Sequence, residues 1–383
     1  MSTPSNSATW RYLRDDQAGA AEGLALDEAL MGAVGRTAAL PTPTLRLYTY
    51  ADAALVGRYQ TLAAELDLDS CAAAGTEVSR RPTGGGAIVM GPGQLGVALM
   101  LPAPASSPRD TLIELARGIV DGLGFLGVPA EFGGKNDLLV GGRKIAGLGL
   151  YLDPDGGLLF HASILRDLDV DYMLRVLRIP AAKLAGKAAA AVADRVTTVN
   201  RALGRELDAE TLREAVAAGF GQRHGVRLVP GEPTSDERAE AARLVTDRYA
   251  HPCWLHETNA QPDGTGSAAM RAPEGLVRVF VAAQGSLIKS VMFTGDFTAV
   301  PAGLRQLEAA LRWRRLDELG VAEIVAAVRS ENHADLGWEA DGDVVNAVLG
   351  AGARATERHA AAPVRPQGSC YFPEQPVTAR SSS

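Results

Sequence analysis

Residues 80–87 read Arg80-Arg81-Pro82-Thr83-Gly84-Gly85-Gly86-Ala87 and join a predicted strand over 77–80 to an apolar run over 87–90. Consecutive glycines let the backbone approach a bulky anion, and exposed N–H groups beside guanidinium groups form a good phosphate cradle. Taken alone, a glycine triplet is more often a tight turn with solvated arginines. The segment matches neither a Walker loop nor the G-x-G-x-x-G of a dinucleotide fold.

Two further motifs follow. The first is Lys135-Asn136-Asp137-Leu138, continued after a Gly141-Gly142 turn by Arg143-Lys144-Ile145-Ala146-Gly147. Two glycines suit a two-residue hairpin turn, so we expect Lys144 at the mouth of a strand, where a cation suits a carboxylate or phosphate. An exposed strand-end lysine is an equally ordinary explanation. The second is His161, which lies between apolar neighbours. A hydrogen-bonded histidine of the core would have the same neighbours.

Hydrophobic periodicity predicts a mixed α/β chain. We expect helices over 20–34 and 63–74, one starting at Ser107-Pro108, mostly helix over 170–250 with a capping box at Thr234 and Glu237, and helices over 302–313, 318–328 and 343–349. The expected strands are 45–50, 53–57, 77–80, 96–101, 137–140, 143–150, 158–165, 276–283 and 287–293. A polar stretch over 257–266 predicts a linker. We therefore expect a catalytic domain over 10–258, an accessory domain over 267–351 and a disordered tail over 352–383.

The composition narrows the class of protein. A net charge of −7 without a long Lys/Arg run argues against a nucleic-acid binder. The cysteines Cys71, Cys253 and Cys370 are too few and too widely spaced for a disulfide framework, which favours a reducing cytoplasm. No apolar run is long enough for a membrane span. A monomer is the default expectation.

These motifs, in this order, resemble the lipoate-protein ligase A family of the biotin/lipoate A/B protein ligase superfamily. Residues 24–30 resemble the first helix of that family, and residues 194–199 resemble the stretch that closes its catalytic core. The resemblance implies an α/β (α+β) fold: a class II synthetase-like catalytic domain with mixed sheets and flanking helices, followed by a small α+β C-terminal accessory domain.

The resemblance also implies an activity. Such an enzyme joins lipoate to ATP, with Mg²⁺, and transfers the lipoyl group from lipoyl-AMP to a lysine of a lipoyl-accepting domain. The implied partners are the E2 subunits of 2-oxoacid dehydrogenases and the glycine cleavage H protein.

The family's site residues map onto matching positions of this chain. Lys144 would be catalytic, contacting the lipoate carboxylate and the α-phosphate together. Residues expected to bind ATP or lipoyl-AMP, with Asp137 also a Mg²⁺ ligand, are Arg81, Gly85, Gly86, Ala87, Ile88, Val89, Asn136, Asp137 and Lys144. Residues expected in the lipoate pocket are Arg80, Gly147 and His161.

The chain departs from the family pattern in places. Met90 stands where the family commonly has histidine, and Ala146 where it often has serine. Residues 91–95 and 144–150 resemble octanoyltransferases of the same fold. Those transferases use a cysteine as acyl acceptor, but no cysteine lies between Ala72 and Pro252, which favours the ATP-dependent ligase.

Other interpretations stay open. They are an octanoyl or lipoyl transferase of the same fold, and a catalytically degenerate relative that only binds lipoyl domains. A biotin ligase would carry a Gly-Arg-Gly-Arg phosphate loop, which this chain lacks. His251, Cys253 and His256 invite a zinc site, but without finger-like spacing a packed helix end around Trp254 is favoured.

Overall fold

A computed structural model describes residues 8–36, 42–60, 62–133, 136–153, 155–178, 194–256, 265–273, 275–284, 286–295, 301–331 and 336–356. The expectations for Lys135, for most of the linker and for the tail beyond residue 356 lie outside these residues.

An eight-stranded mixed sheet forms the centre of the first part of the chain. Its strand order is β11-β1-β2-β6-β10-β9-β8-β7. β1 pairs in parallel with β2 and β11, and the other pairs are antiparallel. The strands are β1 Thr9–Ala18, β2 Thr44–Tyr50, β6 Gln94–Pro102, β7 Glu131–Gly133, β8 Asp137–Val140, β9 Arg143–Leu152, β10 Gly157–Leu165 and β11 Arg227–Pro230.

A small sheet lies beside it, with β3 between its two neighbours in the order β4-β3-β5. These strands are β3 Ala53–Val56, β4 Glu77–Arg80 and β5 Ile88–Met90. β4 runs parallel to β3 and β5 antiparallel to it, so the segment between β4 and β5 must reverse direction. That segment is the glycine-rich loop.

Helices cover both faces of the large sheet, because each face is apolar. The helices α4 and α7 pack against one face, with Leu115 and Ile119 of α4 beside Phe220 of α7 in one core. On the other face, α1 buries Leu24, Leu30 and Met31. The helices of this part are α1 Ala20–Arg36, α2 Leu62–Glu65, α3 Leu68–Ala73, α4 Pro108–Phe125, α5 Val170–Val176, α6 Val199–Leu203, α7 Ala209–His224, α8 Ser235–Leu244 and α9 Pro252–Leu255, with a π-helical turn over Val245–Tyr249.

Local signals predicted several of these elements correctly. Ser107 is the N-cap of α4, with its side chain accepting from the Asp110 N–H. Thr234 and Glu237 form the expected capping box of α8. The β8–β9 hairpin turns at Gly141-Gly142, whose φ angles are +56° and +75°.

Other predictions were wrong. The helix expected over 63–74 is two short helices, because Asp67 accepts a hydrogen bond from the Ser70 N–H and starts a new one. β11 interrupts the stretch expected to be helical, and β1 and β7 carry no clear alternation in the sequence.

The second part of the chain is a three-stranded antiparallel sheet with three helices and its own core. Its elements are β12 Thr265–Ala272, β13 Gly275–Gln284, β14 Leu287–Gly295, α10 Ala302–Leu311, α11 Glu318–Glu331 and α12 Asp341–Thr356. α12 continues to Thr356 and buries Ala351 and Gly352, so it includes the first residues of the expected tail. The predicted domain boundaries themselves stay predictions.

The contacts between the two parts include an ion pair and a backbone hydrogen bond. Arg278 of β13 forms a buried ion pair with Glu65 of α2, and the Gly295 N–H donates to the Tyr59 carbonyl at 3.1 Å. The described helices include none that is both long and apolar enough to cross a membrane.

Candidate active site

A cleft opens between the large and small sheets. β9 and β10 line one side, and β3, β5 and the glycine-rich loop line the other. The lining residues are Leu24, Tyr48, Leu55, Arg81, Gly85, Ile88, Met90, Asn136, Lys144, Gly147, Leu148, Gly149, His161, Ala162, Ser163 and Leu165.

A row of small residues lies in register across the sheet beneath this cleft. Gly147 pairs with Ser163, Ser163 with Gly96, and Gly96 with Tyr48. Because neighbouring strands are about 4.8 Å apart, the row spans roughly 14 Å. A Cβ on Gly96 would lie 2.4 Å from the Tyr48 ring, so that ring covers Gly96. The row is therefore a narrow trough that the Tyr48 ring closes at one end.

Lys144 lies at the other end of the row. Its Nζ lies 2.7 Å from Oδ1 of Asp137 on the neighbouring strand. Its backbone is held on both sides, donating to the Arg195 carbonyl and accepting from the Thr197 N–H, each at 2.8 Å. A Cβ on Gly147 would lie 3.1 Å from the same Nζ. The missing side chain at Gly147 thus leaves room for the ammonium group above the strand.

The glycine-rich loop is held by Arg81. Its guanidinium donates to the carbonyls of Gly84 and Gly86 at 2.8 and 2.7 Å. Gly85 has φ +89°, a conformation that L side chains rarely adopt. Asn136, across the loop, donates its side-chain N–H to the Leu148 carbonyl at 2.9 Å. The loop is therefore preorganised, and Arg81, Gly85 and Asn136 meet at the cleft.

A buried chain of charges supports His161. Its Nε2 lies 3.0 Å from Oδ2 of Asp27, and Oδ1 of Asp27 accepts from Arg46 at 2.8 Å. Arg46 also donates to Asp15 at 2.5 Å and lies over the Tyr48 ring. Burial alone would raise the pKa of Asp27, but Arg46 and His161 outweigh it and hold that pKa below its ordinary value. Asp27 is therefore an ionised carboxylate inside the protein.

Asp27 and Tyr48 were not among the predicted site residues. One signal for Asp27 exists: it follows Leu24 by three positions and precedes Leu30 by three, so it lies on the apolar face of α1. A carboxylate there must be buried, and a buried carboxylate needs a partner. Tyr48 has no comparable signal, because all seven residues of its strand are buried.

The predicted site residues are only partly brought together. Seven line the cleft: Arg81, Gly85, Ile88, Asn136, Lys144, Gly147 and His161. Asp137 joins them through its ion pair with Lys144. Gly86 contributes a carbonyl to Arg81, whereas Ala87 and Val89 are buried in a separate apolar core and do not line the cleft.

Arg80, which was predicted in the lipoate pocket, is not among the residues that line the cleft. Its fully buried guanidinium donates to five backbone carbonyls, those of Gly57, Arg58, Gln60, Trp254 and Leu255. Successive residues of an extended strand point to opposite sides, so Arg80 and Arg81 diverge. Arg80 connects the glycine-rich loop to α9.

The structure also places Trp254 and the cysteines that the sequence singled out. Trp254 is buried and donates to the Arg80 carbonyl at 2.8 Å, which confirms the packed helix end. Within the described ranges, no three His, Cys, Asp or Glu side chains are grouped to hold a metal. Cys71 is buried in an apolar core.

Comparison with known proteins assigns the chain to a family. The family model described as lipoyl protein ligase A/B catalytic domain matches residues 19–221. An octanoyltransferase LipM of Symbiobacterium thermophilum is 34% identical, over 64% of this chain and 97% of that protein. A probable lipoate-protein ligase A of Mycoplasma pneumoniae is 33% identical, over 65% of this chain and 72% of that protein.

Solved structures agree on the fold. A bipartite lipoate protein ligase, studied with its E2 lipoyl domain, from Thermoplasma acidophilum matches with a TM-score of 0.59 and 26% identity, over 65% of this chain and 96% of that one. P. falciparum LipL1 in complex with lipoate matches with a TM-score of 0.67 and 15% identity, over 88% of this chain and 99% of that one. The predicted mixed α/β ligase fold is confirmed.

Proposed function

The chain belongs to the lipoyl protein ligase A/B catalytic domain family, and from this premise we propose that it is an ATP-dependent lipoate-protein ligase. It would activate lipoate as lipoyl-AMP, release pyrophosphate, and transfer the lipoyl group to a lysine of a lipoyl-acceptor domain. The observation that carries the proposal is the position of Lys144, between the trough and the glycine-rich loop, in a cleft whose described lining has no cysteine.

Lys144 suits both steps of this reaction. In the first, a carboxylate oxygen attacks the α-phosphorus of ATP, and two anions must come together. An ammonium group held between them offsets their repulsion and fixes their approach. In the second, the lysine amine of the acceptor attacks the acyl carbon and AMP leaves, so negative charge again develops beside Lys144.

The cysteines favour the ligase over a transferase. A transferase that forms a thioester needs a thiolate beside the acyl carbon. Cys71 is buried, and burial raises the pKa of its thiol, which makes it a poor nucleophile. Cys253 is exposed on α9 and does not line the cleft, and Cys370 lies outside the described residues.

The nucleotide would bind at the glycine-rich loop, where Arg81, Gly85 and Asn136 meet. Mg²⁺ commonly uses one or two carboxylates together with substrate phosphates. Asp137 offers one carboxylate, and one of its oxygens already pairs with Lys144. The residues therefore fit a magnesium ion that arrives with ATP and neutralises phosphate charge, rather than a site made by protein ligands alone.

A second candidate function is octanoyl transfer from an acyl carrier to the same kind of acceptor. The octanoyltransferase name of the relative that is 34% identical favours it. The trough does not discriminate, because it would admit either eight-carbon chain.

We further propose the cytoplasm as the location, and the lipoyl domains of 2-oxoacid dehydrogenases and the glycine cleavage H protein as acceptors. The Thermoplasma ligase named above was studied with an E2 lipoyl domain, which supports the first class of acceptor.

A mass measurement separates these functions. The protein is incubated with an unmodified lipoyl domain and either lipoate, ATP and Mg²⁺, or octanoyl carrier protein without ATP. A lipoyl-sized mass gain that needs ATP is expected. Modification only from octanoyl carrier protein would establish the transferase instead, and no product in either arm would favour a protein that only binds lipoyl domains. Cys71→Ala and Cys253→Ser variants provide the controls, since neither removes a group that a ligase uses.

A further inference from the structure

A basic and aromatic surface lies at the outer edge of the second part of the chain. Residues 312–315 follow α10 and run beside the end of β14. The Trp313 N–H donates to the Ile288 carbonyl at 2.6 Å, and the Ile288 N–H donates to the Arg314 carbonyl at 2.8 Å. Arg315 forms an antiparallel bridge with Leu287. The segment is thus fixed to the sheet as a short extra edge strand, and is not a loose loop.

Trp313 is strained and exposed at the same time. Its φ is +61°, and 49% of the residue is accessible to solvent. A bulky residue in the left-handed region costs on the order of 1–3 kcal/mol. A glycine would make this turn without that cost, and the fold gains little from burying the ring. A large aromatic side chain held outward in an unfavourable conformation therefore points to a role outside the fold.

The charge around Trp313 is positive. Arg312, Arg314 and Arg315 are all exposed, and so is Lys289 on the adjacent strand. Two acidic residues follow in the chain: Asp317, which accepts from Arg315 at 2.5 Å, and the exposed Glu318. This concentration of cations occurs in a protein whose net charge is −7. We call Leu287, Lys289, Arg312, Trp313, Arg314 and Arg315 the Trp313 surface.

We propose that the Trp313 surface docks an acidic face of the lipoyl-acceptor domain, an inference that rests on the proposed function. Tryptophan and arginine are the residue types that contribute most to protein–protein affinity. Guanidinium groups complement carboxylates and speed association between oppositely charged surfaces. The exposed apolar side chains of Trp313 and Leu287 favour a protein surface over a phosphate backbone as the partner.

β14 extends from the Trp313 surface towards the first part of the chain, over a length comparable with the width of a small acceptor domain. β14 runs from Leu287, in the Trp313 surface, to Gly295, which hydrogen-bonds to Tyr59. Eight residue steps of about 3.4 Å make this roughly 27 Å. Tyr59 follows Arg58, whose N–H donates to Thr83 of the glycine-rich loop. A domain of about 80–100 residues has a radius of gyration near 12–13 Å, and so a width of roughly 30 Å.

The test compares acceptor binding with small-molecule chemistry. The test variant is the double substitution Arg312→Glu, Arg314→Glu. Its control is the double substitution Arg201→Glu, Arg238→Glu, which makes the same change in charge at exposed sites of the first part of the chain. For each full-length protein, calorimetry measures the Kd for an unmodified lipoyl domain, and lipoate-dependent exchange of pyrophosphate into ATP measures the first half-reaction. We expect the Kd and KM for the acceptor to rise at least tenfold in the first double variant alone, with exchange unchanged in both.

Trp313→Gly distinguishes a docking role from a structural role, because only a structural role predicts a lower melting temperature. Glycine tolerates the positive φ, so the melting temperature should stay equal or rise while the acceptor Kd weakens. An unchanged acceptor Kd in the Arg312/Arg314 double variant, a large loss of stability in Trp313→Gly, or binding of a DNA oligonucleotide that the double variant alone abolishes would each overturn the docking proposal. Calorimetry needs no turnover, so absence of lipoylation by the wild type would refute only the proposed function.

Discussion

Asp27 and His161 are 134 residues apart in the sequence, yet Oδ2 of Asp27 lies 3.0 Å from Nε2 of His161 at the wall of the cleft. An ionised carboxylate only accepts hydrogen bonds, so Nε2 must carry the proton. In the neutral ring, Nδ1 then remains as the acceptor available to a ligand. The tautomer of His161, on β10, is therefore set by Asp27, on the distant helix α1.

Replacing Asp27 with asparagine should destabilise the protein by about 3 kcal/mol, since removing one partner of a buried pair leaves Arg46 without its inner counter-charge. Both Asp27 and Arg46 are 0% exposed. Urea unfolding measures the change. Asp121→Asn, which removes a partly exposed partner of Arg223, should cost no more than about 1 kcal/mol. Equal losses in the two variants would contradict the role given to burial.

Lys144→Ala should lower the rate of lipoate-dependent pyrophosphate exchange by about 100-fold or more, the usual cost of removing one electrostatic contact to a developing charge. Its neighbour Arg143 is exposed at the end of the hairpin, so Arg143→Ala should retain nearly full activity. If the two variants lose activity equally, Lys144 has no special role.

Gly147→Ala should impair catalysis more than stability. The added Cβ would lie 3.1 Å from Nζ of Lys144 and displace the ammonium group. We expect a fall in kcat of at least tenfold. Gly124→Ala is the control, because no atom lies within 4 Å of its added Cβ and alanine favours the α4 helix by about 1 kcal/mol. Normal kcat in Gly147→Ala would show that the ammonium position tolerates displacement.

Arg80→Met should destabilise the fold by about 3 kcal/mol or more, because the five carbonyls that accept from Arg80 lose a buried donor. Thermal unfolding measures this loss. Any protein that remains folded should bind lipoate with its ordinary Kd. A selective loss of lipoate binding with unchanged stability would instead support the prediction that Arg80 belongs to the lipoate pocket.

His224 should make stability depend on pH. Its ring lies 4.9 Å from that of Trp10, and burial lowers its pKa from the ordinary 6.5. Between that lowered value and 6.5 the unfolded state binds the proton more readily. The free energy of unfolding should therefore fall as pH drops below about 6.5 and change little above it. In His224→Gln the decline between pH 7 and 5 should be smaller, and an identical pH profile would exclude His224 as its source.

Features with local causes could be predicted from sequence. The β8–β9 hairpin needs two glycines at positive φ, and Gly141-Gly142 supplies them beside Asp137 and Lys144. The α4 start at Ser107-Pro108 and the α8 capping box likewise depend on side chains within three or four residues of the backbone groups that they satisfy. The placement of Asp137 beside Lys144 followed from one hairpin.

Contacts between distant strands could not be predicted in this way. The trough exists because Gly147, Ser163, Gly96 and Tyr48 fall into one row across four strands, and a shift of one residue would turn each side chain to the other face. The direction of Arg80 depended on carbonyls of Trp254 and Leu255, at the end of the first part of the chain.

The sequence by itself determined the ordered motifs, the family, and the hairpin that brings Asp137 to Lys144, because these depend on residue type and short-range backbone geometry. Only the tertiary structure decided that Arg80 hydrogen-bonds to α9 while Arg81 faces the cleft. It also decided that Asp27 orients His161 and that Tyr48 closes the trough. The reason is physical: strand register and helix packing are set by burial of the whole core, so the partner of a buried charge is chosen by residues far from it in the chain.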